Sequence, residues 1–238
     1  ELPVADGIRA AANHGFAAVE CHFPYDQPLA DVQKSLEETG LPMLGLNTRK
    51  GDGLGGLAAL VDRVSEARAA IDEAISYGHA IGAQNVHVMA GMAEGHRAKA
   101  TFEDNLKYAT EQAERVGMQV VIEPLNAHDA PNYFLNSIAQ AIDIIDSLSI
   151  ENLRLMFDCY HVGRTEGDVI AQFDFAKSLI GHIQFAGVPD RGRPDQGIVD
   201  YREVFAHITA QGWDAPLGAE YRPTGSTENS LDWMHSLN

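Results

Sequence analysis

Glu123, Asp158, Gln184 and Glu220 are the side chains whose types and spacing best suit chemistry, because each stands at or near the end of a short apolar run. The runs are Val120-Val121-Ile122-Glu123, Leu153-Arg154-Leu155-Met156-Phe157-Asp158, Ile180-Gly181-His182-Ile183-Gln184-Phe185 and Pro216-Leu217-Gly218-Ala219-Glu220. Buried strands of parallel sheets read as continuous apolar stretches. Pro124, directly after Glu123, cannot donate to a sheet ladder and so predicts that the strand stops there. Four successive strands that bring oxygen donors to one rim suit a hard divalent cation. The pattern predicts a metal site formed by Glu123, Asp158, Gln184 and Glu220.

The elements that must carry this rim alternate along the chain. Residues 4–13 form an alanine-rich helix pattern closed by His14-Gly15, and residues 16–21 read as a strand. The unit repeats with a helix at 28–39, closed by Gly40, and a strand at 42–47. A glycine-rich loop at 48–56 precedes a long helix at 60–81 and a strand at 85–89. A helix at 97–116 leads to the strand of Glu123, and Ser137 caps a helix through 147. Further helices follow at 168–178, 201–211 and from 226 onward.

This count gives seven strands alternating with eight helices. Such alternation implies right-handed crossovers and a parallel sheet. A doubly wound sheet would carry a glycine-rich phosphate fingerprint after its first strand, and none is present. The expected fold is therefore an α/β (β/α)8 TIM barrel, one domain over residues 1–238, whose first strand belongs before Glu1. In such barrels catalytic groups gather at the carboxyl ends of the strands, where the four oxygen donors fall.

Composition narrows the partners. The chain has 238 residues, 45% of them hydrophobic, enough for one large core. With 17 basic against 34 acidic residues the net charge is −17, which opposes attraction to nucleic acid or anionic membrane and favours small-molecule partners. Cys21 and Cys159 have no disulfide or zinc spacing and read as free thiols. With no signal segment in the sequence, a cytoplasmic location is expected.

Several motifs together carry a family resemblance. They are Glu123-Pro124-Leu125-Asn126, Asp158-Cys159-Tyr160-His161 with Glu166-Gly167-Asp168, the run from Gly181 to Arg191, and Gly218-Ala219-Glu220-Tyr221-Arg222-Pro223. In this order they resemble the hydroxypyruvate isomerase family of the xylose isomerase-like TIM barrels. Phe23-Pro24-Tyr25-Asp26 and Asn47-Thr48 extend the resemblance over nearly the whole chain. The sequence departs from the pattern in a shorter loop at 49–56 and in Ile198, where the family commonly has an acidic residue.

The resemblance implies isomerisation of hydroxypyruvate to 2-hydroxy-3-oxopropanoate. Moving a carbonyl to its neighbour requires removal of a carbon-bound proton, an enediolate and reprotonation one carbon away. Glu123 and Glu220 are the implied catalytic pair, with the order of their roles open. A divalent ion, Mg2+ or Mn2+ rather than Zn2+, would polarise the carbonyl. His161 is expected to donate to a substrate oxygen, or else to be a satisfied loop histidine. His182 shares the strand face of Gln184 and either binds substrate or fills a polar barrel layer. His87 either packs in the core or contacts substrate. Arg191 is the expected partner of the substrate carboxylate, and Asn126 with Asp129 could orient hydroxyls.

Two other classes compete. A related metal-dependent isomerase or epimerase of a longer sugar or oxo-tetronate would use the same rim with a roomier pocket. A noncatalytic barrel binding a small acid would tolerate loss of the rim carboxylates, and all four donors are present. A homo-oligomer is compatible with either.

Overall fold

The apolar runs form one six-stranded parallel sheet in chain order, as a computed structural model describing residues 2–237 reveals. Its strands are β1 (Gly45–Asn47), β2 (Asn85–His87), β3 (Gln119–Ile122), β4 (Leu153–Asp158), β5 (Ile180–Phe185) and β6 (Gly218–Ala219). Each strand pairs with the next, so every connection is a crossover carrying helix. The curled sheet with its covering helices is the α/β TIM-barrel fold expected from the sequence.

The helices follow the predicted pattern with small shifts. They are α1 (Val4–Asn13), α2 (Leu29–Thr39), α3 (Val64–Ala80), α4 (Gly95–Glu114), α5 (Ile138–Leu148), α6 (Cys159–Thr165), α7 (Val169–Ala176), α8 (Tyr201–Ala210) and α9 (Trp233–Ser236). Helix α4 buries Ala98, Phe102, Leu106, Ala109 and Ala113, a stripe at spacings of three and four. Ser137, Asp168 and Asp200 cap α5, α7 and α8 by accepting from backbone N–H groups. One hydrophobic cluster runs from Ile8 to Trp233 and joins the strands to these helix faces.

Four expectations need correction. The strand expected at 16–21 is reduced to one bridge between Val19 and Met43, although backbone bonds from Cys21 N to Gly45 O and from Asn47 N to His22 O keep the segment alongside β1. The strand at 216–220 keeps only Gly218–Ala219 in the ladder. Helix α6 was not anticipated; it starts directly after β4 because Asp158 Oδ1 accepts from Tyr160 N at 2.8 Å. The helix expected from 226 is a 3-10 turn, Glu228–Ser230, followed by the single turn of α9. A strand ahead of Glu1 lies outside the described residues.

The loop at 48–56 is pressed against the barrel rim by an antiparallel bridge between Gly56 and Ala90. Gly91 has φ +93°, and a Cβ there would lie 2.4 Å from the Gly56 carbonyl oxygen. A side chain would push this loop off the rim. Among the described residues, no helix is long and apolar enough to cross a membrane.

Candidate active site

The carboxyl ends of the strands surround a cavity of about 250 Å³ lined by Glu123, His161, Gln184, Arg191 and Glu220, among others. Asp158 is buried in its wall, on the strand neighbouring Gln184, with which it is in register. Position follows from the parallel register: Asp158 ends β4, Glu123 and Glu220 directly follow β3 and β6, and Gln184 is the last residue but one of β5, while His161 is in α6 and Arg191 in the loop after β5.

Glu123 and Asp158 are both buried, and with His161 they present ligand atoms within 4.8 Å of one another. Burial, and then the charges of Glu220 and Asp158, push the Glu123 carboxyl well above its ordinary range. Burial, and then the Glu220 charge, push Asp158 up to about 7. Asp158 caps α6 with one carboxylate oxygen, Oδ1, and leaves the other, Oδ2, without a hydrogen-bond partner.

Three buried oxygens are without hydrogen-bond partners here: Glu123 Oε1, Asp158 Oδ2 and Gln184 Oε1. Buried polar atoms are almost always paired, so a cluster of three orphans on adjacent strands asks for a further partner. Two carboxylate oxygens and an amide oxygen suit a hard cation. The donor set therefore fits a divalent metal.

Glu220 has a different environment. Its Oε1 receives Arg191 and lies 3.3 Å from His22 Nε2. Burial alone would raise this carboxyl, but the His22 hydrogen bond and the charges of His22 and Arg191 outweigh it and bring it down to about 2. Arg191 is itself stacked 5.3 Å over the Tyr160 ring, and the Tyr160 hydroxyl donates to Asp129 at 2.7 Å. Arg191, expected on the substrate carboxylate, is thus engaged with Glu220 in this structure.

His161 accepts from the Asn126 backbone N–H at 2.9 Å through Nδ1. That bond makes Nε2 the protonated nitrogen of the neutral ring, 3.7 Å from Asp158 Oδ2. Burial and then Arg191 bring its pKa down to about 4, so the ring faces the cavity as a neutral donor. Asn126 is buried behind His161 as its support. His87 and His182 line a small internal space beneath the main cavity, with Gln184 shared between the two. His87 Nδ1 is 3.6 Å from Glu123 Oε2 and burial brings its pKa down to about 3.

Sequence reasoning missed Glu20 and His22. His22 touches Glu220, and Glu20 Oε2 is 2.6 Å from His182 Nε2. The signal was the two-residue period of the strand. Val19 and Cys21 pack on the core while Glu20 and His22 point the other way, into the barrel.

A barrel rim that gathers buried carboxylates round a small cavity is the arrangement of a TIM-barrel enzyme. Comparison with known proteins defines it further. Residues 8–237 match the family model described as xylose isomerase-like TIM barrel. A 2-oxo-tetronate isomerase of Cupriavidus necator is 40% identical over 236 residues, covering 96% of this chain and 91% of that protein. The hydroxypyruvate isomerase of Escherichia coli is 32% identical over 231 residues, covering 94% and 90%. A solved structure from Brucella melitensis, described as an AP endonuclease, family 2, superposes with a TM-score of 0.94 at 32% identity, covering 99% and 93%. The chain belongs to the xylose isomerase-like TIM barrel family, and it is an enzyme of the isomerase class.

Proposed function

We propose that this protein isomerises a short hydroxy-oxo acid by moving its carbonyl from C2 to C3, with Glu123 and Glu220 as the proton-transfer pair. The observation that carries this reading is the presence of both carboxylates on one cavity in environments that drive their proton affinities apart. Glu220 is held ionised and is suited to take the proton from C3. Glu123 holds its proton more tightly and is suited to return one at C2. The proton leaves C3, the C2 oxygen gains a proton and the C3 hydroxyl loses one, so the atoms balance without any oxidant.

His161 Nε2–H is the donor available to an oxygen of the reacting centre. Because Arg191 is committed to Glu220, Lys50 and Arg222 supply the remaining positive charge on the cavity wall for the substrate carboxylate. Asp158 and Gln184 would hold a magnesium or manganese ion through their unpartnered oxygens, with Glu220 as a further donor and Glu123 Oε1 joining them only when that carboxyl has given up its proton. Bound there, the ion supplies Lewis-acid polarisation of the substrate carbonyl.

The cavity, about 250 Å³, is at the small end of ligand sites, which run from about 300 Å³ upward, and this favours a short acid over a hexose. The 40% identity to a 2-oxo-tetronate isomerase puts the four-carbon acid first. Hydroxypyruvate, the substrate implied by the sequence motifs, is the second reading and is favoured by the Escherichia coli relative. Both acids undergo the same C2-to-C3 shift. The nuclease description of the Brucella protein is opposed for this chain by a net charge of −17, which repels a phosphate backbone.

The experiment is a side-by-side determination of kcat/KM for 2-oxo-tetronate and hydroxypyruvate, with products identified by NMR. A higher value for 2-oxo-tetronate is expected. The reverse order would assign hydroxypyruvate, and turnover of neither acid would overturn the proposal.

A further inference from the structure

Glu20 is the carboxylate from the first described strand segment, and its two oxygens have separate partners. Gln184 Nε2 donates to Oε1 at 3.0 Å, and His182 Nε2 is 2.6 Å from Oε2. The space it occupies is made by a glycine: a Cβ at Gly218 would lie 2.3 Å from Glu20 Oε1 and 3.1 Å from Gln184 Cγ. Gly218 and Gln184 are in register on adjacent strands, so the carboxylate is wedged where β5 and β6 meet.

An ionised carboxylate only accepts hydrogen bonds. Gln184 must therefore turn its NH2 group to Glu20, which leaves the amide oxygen as the end facing away. That oxygen, Oε1, is buried and without a hydrogen-bond partner, like Glu123 Oε1 and Asp158 Oδ2. We propose that Glu20 is a positioning residue: it fixes the Gln184 amide in the one orientation that offers its oxygen, rather than its NH2, beside Glu123 and Asp158. The proposal rests on the metal reading given above only for its consequence, since the amide orientation is a property of this chain alone. Partners that orient first-sphere ligands commonly change metal affinity by about 10–100-fold when removed.

The isosteric variant Glu20→Gln separates orientation from shape. Its Oε1 would accept from His182, so its NH2 would face Gln184 and force that amide to flip. In metal-free protein, 15N NMR of the Gln184 side chain, assigned by its loss in Gln184→Glu, should show a displaced NH2 signal. That signal should move to the ordinary glutamine region in Glu20→Gln and in Glu20→Ala. Calorimetric titration with Mn2+ should show affinity about 10–100-fold weaker in Glu20→Gln than in the unaltered chain. The double variant Glu20→Gln, Gln184→Glu restores a donor at 20 and an acceptor at 184, and should regain binding relative to Glu20→Gln, with circular dichroism verifying the fold of each.

An unaltered Gln184 signal together with unaltered Mn2+ affinity in folded Glu20→Gln would overturn the role of Glu20. Absence of Mn2+ binding in the unaltered chain would overturn the metal reading instead, and the amide signal in metal-free protein would then decide the orientation by itself.

Discussion

Glu123 and Glu220 line the same cavity in opposite electrostatic settings. Burial and neighbouring carboxylates favour the proton on Glu123, whereas His22 and Arg191 overcome the effect of burial on Glu220 and keep it ionised. Titratable pairs driven apart in this way divide naturally into proton donor and proton acceptor.

Glu123→Gln and Glu220→Gln should each lower kcat by at least about 10²–10⁴-fold, the usual contribution of a positioned acid or base. Both variants preserve side-chain shape, so circular dichroism and melting temperature should change little. Undiminished turnover in either would exclude the paired-carboxylate scheme.

Arg191→Ala removes the cation that favours the charged form of Glu220. The Glu220 pKa should rise, and the acid-side fall of kcat/KM should move to higher pH. A pH profile recorded for both proteins tests this, and coincident acid limbs would mean that Arg191 does not tune Glu220.

Metal-free protein should be less stable at pH 8 than at pH 5. A carboxyl whose folded pKa is raised favours folding while it is protonated, and that contribution is lost as pH rises from its ordinary range through the folded value. For Asp158 this window runs from 3.8 to about 7. Thermal melts across that range should show the loss, and Mn2+ added at pH 8 should reverse it. Asp158→Asn should abolish much of the pH dependence and weaken Mn2+ binding; a melting temperature indifferent to both pH and Mn2+ would count against the cation assignment.

Phe157→Ala tests the scaffold beneath the rim. Phe157 is fully buried, packs edge-on against Phe173 at 6.0 Å between centroids, and directly precedes Asp158. Truncating it should cost about 3–5 kcal/mol. Urea denaturation would measure the loss, and a cost below about 1 kcal/mol would mean that the barrel repacks around the gap.

The legible part of the sequence was that in which a single local rule decides the outcome. Glu123 and Asp158 could be located because each closes a continuous apolar run, and the parallel sheet follows from those runs alternating with helix patterns. Glycine and proline punctuation located most helix ends, as at Gly40, which adopts φ +68° after α2. The rest depends on long-range partners. Arg191 and Glu220 are 29 residues apart and Glu20 and Gln184 are 164 apart, and no local pattern announces either contact. Helix α6 was obscured because Asp158 ends a strand and caps a helix at once. Ile198, where the family pattern has an acidic residue, is 79% exposed, and nothing in the structure gives it a role.

Turnover in D2O tests the central claim most directly. If Glu220 removes a proton from C3 and Glu123 returns one that has equilibrated with solvent, NMR of the product should show deuterium at C2. The signal should disappear, along with product, in Glu123→Gln and Glu220→Gln. Product that forms from either acid without solvent deuterium would point to direct hydrogen transfer between the two carbons and would contradict the account.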